Sequence, residues 1–249
     1  MKKQSAAKQL RIAVSNAPDA EQILLGQVFV LSNYVLKYAR DERVKYISHL
    51  DFIRTFHRTV RRAGLNMSFS QGFNPHPIMT IAMPLSVGIT SECEYMKIGF
   101  ENDYSEQEIK DRLNDAFPKG FKILAVCKTE GKTHDFAKLD RAVYMVEVEC
   151  NDSSLFDTHS FLKNSELKVM KKSKSGVKEA DIRPYIYDFK TENISKNKIL
   201  INMCVAAGNN YNLKAETVIE AMEKYCAGFK IDFFCVHRKA ILSGNNNLI

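Results

Sequence analysis

Ser48-His-Leu-Asp51-Phe52-Ile53-Arg54-Thr-Phe56-His57-Arg58-Thr-Val60-Arg61-Arg62-Ala63-Gly64 reads as one amphipathic helix with both ends marked. Ser48 stands three residues before Asp51, the spacing of a capping box, and Gly64 supplies the stop. At 100° per residue, Phe52, Ile53, Phe56, Val60 and Ala63 share one side. Arg54, Arg58 and Arg61 share the opposite side, with Arg62 at its edge. One face belongs to a core and the other is basic.

Outward from this helix the chain reads as alternating strands and helices. Residues 34–47 form a strand or hairpin turning at Asp41-Glu42, and residues 80–83 and 94–100 form strands. Residues 105–117 form a helix with Ser105 as N-cap and Pro118-Lys-Gly120 as its stop, and 121–129 form another strand. The order is βαββαβ. After a polar stretch at 130–140 nearly the same order returns. It comprises a strand at 144–150, a helix at 154–163, a hairpin of 167–172 and 177–182 turning at Ser175-Gly176, a strand at 198–205, a helix at 215–225 and a strand at 229–236.

This repetition predicts an α+β chain of two tandem ferredoxin-like units, 33–130 and 140–240, each an antiparallel sheet with helices on one face. Residues 1–32 are polar and then apolar without a clear period. They read as a tail, a short appended helix, or a start placed too far upstream; 241–249 read as a C-terminal tail.

Composition narrows the function classes. With 249 residues and 45% hydrophobic content the chain buries a real core. No apolar run is as long as a membrane span and the N-terminus lacks the pattern of a signal peptide, so a cytoplasmic, membrane-free location is expected. A net charge of +7 suits phosphate or an acidic protein partner. Cys93, Cys127, Cys150, Cys204, Cys226 and Cys235 are scattered singly, with no CxxC spacing. They read as reduced core thiols, so neither a metal nor a cofactor is expected to be held by this chain alone.

Three segments carry candidate chemistry. The arginine stripe of Arg54, Arg58, Arg61 and Arg62 has no interleaved acid in i,i+4 register, so its charges repel unless an anion lies nearby. In Ser70-Gln71-Gly-Phe73-Asn74-Pro-His76-Pro77, two prolines and a glycine fix the backbone and leave Gln71, Phe73, Asn74 and His76 as available side chains. His49 and His76 are candidates for an acid–base pair, with Asp51, Glu92 or Glu94 supplying a carboxylate, although no ligand spacing supports a metal site. In the second half, Lys171-Lys172-Ser-Lys174 makes a basic hairpin that also guards a sheet edge, followed by the polar turn Asp181-Ile-Arg183-Pro184. Gly208-Asn-Asn210 with Lys214 precedes a helix and reads as an anion site or as a plain turn.

Several runs together resemble the bacterial radical-SAM-linked protein family, a domain of unknown function. They are Lys45-Tyr-Ile-Ser-His-Leu-Asp51, Arg54, His57-Arg58, Arg61-Arg-Ala-Gly-Leu65, Ser70 to Pro77, Pro84-Leu-Ser-Val-Gly88 and Glu92-Cys-Glu-Tyr95. Lys172, Gly176, Asp181-Ile-Arg-Pro184 and Asn212-Leu-Lys214 resemble its second half, with Ala215 where the family shows proline. The resemblance spans residues 34 to about 240 and implies a partner. Members are encoded beside, or fused to, a radical-SAM protein, which would hold the S-adenosylmethionine and the iron–sulfur cluster.

The first reading is therefore an accessory or substrate-binding subunit for a radical-SAM enzyme, meeting RNA with its arginines and Phe73. A metal-free RNA-processing enzyme using His49 and His76, and a protein-only adaptor for the radical-SAM partner, are the alternatives.

Overall fold

The computed structural model describes residues 32–129, 135–173 and 176–249. Residues 1–31 of the expected tail, residues 130–134 of the polar linker, and Lys174 and Ser175 of the expected hairpin turn lie outside them. The chain is a mixed α/β protein dominated by one large, mostly antiparallel sheet with few helices.

In the first half, β1 (Ser32–Arg40) lies between β3 (Thr90–Phe100) and β4 (Phe121–Lys128), and the short β2 (Met79–Ile81) pairs with the far end of β3. Helices α1 (His49–Arg62) and α2 (Glu106–Ala116) cover one face. Tyr34, Leu36 and Tyr38 alternate inward from β1 to meet Phe52, Phe56 and Val60 of α1 and Ile109 and Leu113 of α2. Tyr38 and Phe52 stack with centroids 5.1 Å apart.

The second half runs β5 (Arg141–Cys150), α3 (Thr158–Lys163), β6 (Lys168–Ser173), β7 (Gly176–Asp181), β8 (Ile186–Ser195), β9 (Lys198–Ala206), α4 (Ala215–Tyr225), β10 (Ile231–Ser243) and β11 (Asn246–Asn247). Its strands are ordered β10-β5-β9-β8, and those of the first half β4-β1-β3-β2. Counted within each half, both orders read 4-1-3-2.

Two sequence expectations need correction here. The hairpin of β6 and β7 forms a separate two-stranded sheet, and the second strand of this half is β8, which the sequence does not announce. As an edge strand β8 buries only Ile186 and Phe189, so its sequence lacks the alternation that marks a half-buried strand. Residues 241–249 are also no tail. Ile241 is fully buried, β11 pairs back on β10, and the Tyr95 hydroxyl donates to the Ile249 carbonyl.

The halves join edge to edge. β10 pairs in parallel with the start of β3, His237 opposite Thr90 and Arg238 opposite Ser91. Across this seam Arg238 Nη1 donates to Glu94 Oε1 at 3.1 Å and Oε2 at 3.3 Å, with both side chains buried. Burial alone lowers the Arg238 pKa, but the neighbouring Glu94 carboxylate and Tyr144 outweigh it and hold the guanidinium charged. Burial, with Glu94 adding to it, pushes the nearby Cys93 thiol up to about 12.

Candidate functional site

Local chemistry fixes α1 at both ends. The Asp51 N–H donates to Ser48 Oγ at 3.2 Å and the Ser48 hydroxyl donates back to Asp51 Oδ2 at 2.7 Å. At the other end Gly64 adopts φ +66°, and Arg112 of α2 donates to the carbonyls of Ala63 (2.8 Å) and Gly64 (2.7 Å). The last turn of α1, with Arg61, is therefore held against α2.

Four arginines with one sequence reading have different fates. Arg54 pairs with Asp51 at 3.0 Å, so the stripe does carry an acid, at i,i+3 rather than i,i+4. Arg62 donates to Thr59 Oγ1 and to the Ala116 carbonyl, tying α1 to α2. Arg58 and Arg61 are exposed, and among the described residues neither side chain has a hydrogen bond or ion pair.

The Ser70 to Pro77 loop projects beside this end of α1 on a closed neck. Ser68 N–H donates to Gly99 O, Ile78 N–H to Ser68 O, and Gly99 N–H to Ile78 O. Ser70 N–H donates to His76 O at 2.8 Å while His76 N–H donates to Ser70 Oγ at 3.0 Å. Gln71, Phe73, Asn74 and His76 are all exposed, Phe73 completely.

Two adjoining cavities lie here, one between α1 and the loop and the other within the loop and its neck. One, about 330 Å³, is lined by His57, Arg61, Asn66, Phe69, Pro77 and Glu101 among others. The second, about 520 Å³, is lined by Ser68 to Gly72, Pro75, Ile78 and again Glu101. Phe69 and Glu101 belong to both. His57 Nε2 is buried without a partner, and burial, reinforced by Arg61, lowers the pKa of that imidazole.

The other sequence candidates do not gather here. His49 begins α1 and His76 lies on the loop neck, and no hydrogen bond joins them among the described residues. Glu92 sits on the seam with Lys239 (2.7 Å) and His237 (3.7 Å), and Glu94 is the buried partner of Arg238. Lys172 lies in β6 opposite Val177. Arg183 Nε donates to the Leu162 carbonyl, and Asp181 Oδ1 accepts from the Leu167 and Arg183 N–H groups, so the Asp181 to Pro184 turn braces the fold. Gly208, at φ +130°, lies where a Cβ would sit 2.2 Å from the Leu139 carbonyl oxygen.

Phe69 and Glu101 escape a sequence reading because nothing local marks them. They meet only when residues 67–69 run beside the end of β3, through the Met67 to Phe100 bridge and the Glu101 N–H bond to Asn66 O.

A family model described as an uncharacterized protein conserved in bacteria (DUF2344) matches residues 33–215. The chain belongs to that family. The match covers α1, the loop, both cavities and most of the second half. No curated protein matches the chain. Among solved structures it is similar to the crystal structure of a Cbf5-Nop10-Gar1 complex, at 9% identity and TM-score 0.45, covering 84% of this chain and 48% of that one. It is also similar to the crystal structure of an unknown protein from Galdieria sulphuraria, at 13% identity and TM-score 0.24, covering 84% of this chain and 98% of that one. The chain thus spans about half the length of the first of these. No helix among the described residues is long and apolar enough to cross a membrane.

Proposed function

We propose that this protein is a cytoplasmic RNA-binding accessory subunit that serves a radical-SAM enzyme. In this reading it is built from two ferredoxin-like units, and its RNA surface is the cleft between α1 and the Ser70 to Pro77 loop.

The observation that carries the reading is the pairing of unlike surfaces at one place. Among the described residues the side chains of Arg58 and Arg61 are exposed cations without an internal partner; Arg61 shares a cavity with the partly exposed Phe69, and the loop that follows Phe69 carries the fully exposed Phe73. Phosphates answer the first need and unstacked bases the second. An acidic protein surface would satisfy the arginines but gives no reason for an isolated, fully solvated phenyl ring.

The radical-SAM partnership rests on the sequence resemblance, in which the partner supplies the cluster and the S-adenosylmethionine. Tagged protein captured from its native cytosol, with and without ribonuclease, tests both parts. Recovery of a radical-SAM protein together with a discrete RNA is the expected result. A radical-SAM protein captured without any RNA would favour the adaptor instead, and capture of neither would remove the proposal.

A further inference from the structure

Arg61 and Glu101 line the same cavity of about 330 Å³, yet among the described residues neither side chain makes an ion pair or hydrogen bond. A guanidinium and a carboxylate that share a pocket without meeting leave donors and acceptors to be matched by a third group. That group needs acceptors for the arginine fork and donors for the carboxylate on one small, flat body, because Phe69 offers an aromatic wall shared with the adjoining cavity.

We propose that this cavity holds an unpaired guanine of a single-stranded RNA, an inference that rests on the RNA-binding reading above. Guanine presents O6 and N7 as acceptors along one edge, the pattern an arginine reads in bidentate fashion. Along its pairing edge N1–H and N2–H₂ are adjacent donors, which the two oxygens of Glu101 can accept together. Adenine instead turns an acceptor, N1, toward a carboxylate, and uracil offers a single N–H flanked by two carbonyls. The cavity falls at the lower end of the size range of small-molecule sites, which suits one base rather than a larger ligand. Stacking on Phe69 needs no base identity, so the discrimination comes from Glu101 and Arg61.

Fluorescence anisotropy with the full chain tests this, using labelled oligouridylates that carry one central guanine, adenine, inosine or 7-deazaguanine, and free GMP as competitor. Guanine is expected to bind about tenfold more tightly than adenine. Inosine, lacking the N2 amine, and 7-deazaguanine, lacking N7, each lose part of that gain. Glu101→Gln erases the preference for guanine over inosine. The base analogues alter only the ligand, so they report even if a protein variant misfolds. Equal affinity for guanine, adenine and uracil, with Arg58→Glu still weakening all of them, would overturn the guanine pocket and leave RNA binding intact. Binding of GMP without any oligonucleotide would keep the pocket and overturn the RNA reading. Binding of neither overturns both.

Discussion

Arg238 of β10 and Glu94 of β3 form a buried ion pair, 3.1 Å apart, that crosses the seam between the two halves of the sheet. Among the described residues two parallel register pairs join the halves there, and the ion pair lies on that seam together with the Thr90–His237 hydrogen bond and an apolar cluster shared by both halves. Removing one partner leaves an uncompensated charge in the interior, and Arg238→Met or Glu94→Gln is expected to cost about 3 kcal/mol or more. The double variant Glu94→Leu/Arg238→Met should recover most of that loss in urea unfolding. A double variant no more stable than the singles would show that the pair does not align the seam.

Gly208 faces the Leu139 carbonyl oxygen at a backbone angle that L-residues rarely adopt. Gly208→Ala must move backbone rather than a flexible side chain, and a loss of about 2 kcal/mol or more is expected. Thermal melting measures it. An unchanged melting temperature would show that the 139–140 segment gives way freely.

Stability should fall as pH drops from about 7 to about 5. Burial lowers the pKa of both His57 and His237; Arg61 adds to it at His57, and Glu92 partly opposes it at His237. Since the folded values lie below the unfolded one, the unfolded chain binds more protons in this window. The stability is thus fully present above the unfolded histidine pKa and is lost as pH falls from that value through the lower folded one. His57→Gln and His237→Gln should each flatten the profile. Asp51 and Glu92, held low by Ser48 and Lys239 respectively, act in a separate and more acidic window. A profile flat from neutral to pH 5 would refute the assignment.

Phe73→Ala separates binding from folding. Its ring is fully exposed, so the unfolding midpoint should not move, whereas removing a base stack should weaken single-stranded RNA binding by about 1–3 kcal/mol. Unchanged affinity would place the RNA elsewhere than on the loop tip.

How much of the fold was legible in the sequence differs element by element. The core side of α1, its Ser48 cap and Gly64 stop were readable because amphipathicity and capping are local properties. The same holds for α2 with its Ser105 cap. β8 was not readable, since an edge strand needs few apolar residues, and the hairpin of β6 and β7 looked like main-sheet strands because local alternation does not say which sheet a strand joins. At the site, the arginines and the loop were visible, but a stripe of four equivalent cations divided into two tied and two free only through Asp51, Thr59 and Ala116. Glu101 entered through tertiary pairing at the end of β3.

Whether the free arginines of α1 meet an RNA backbone is decided by the salt dependence of RNA binding, measured for the wild-type chain and for Arg58→Glu/Arg61→Glu. Much weaker binding by the variant is predicted, with the slope of log affinity against log salt reduced by about 0.7 for each phosphate no longer neutralised. Affinity and slope that are the same for both proteins would contradict an RNA surface on this face.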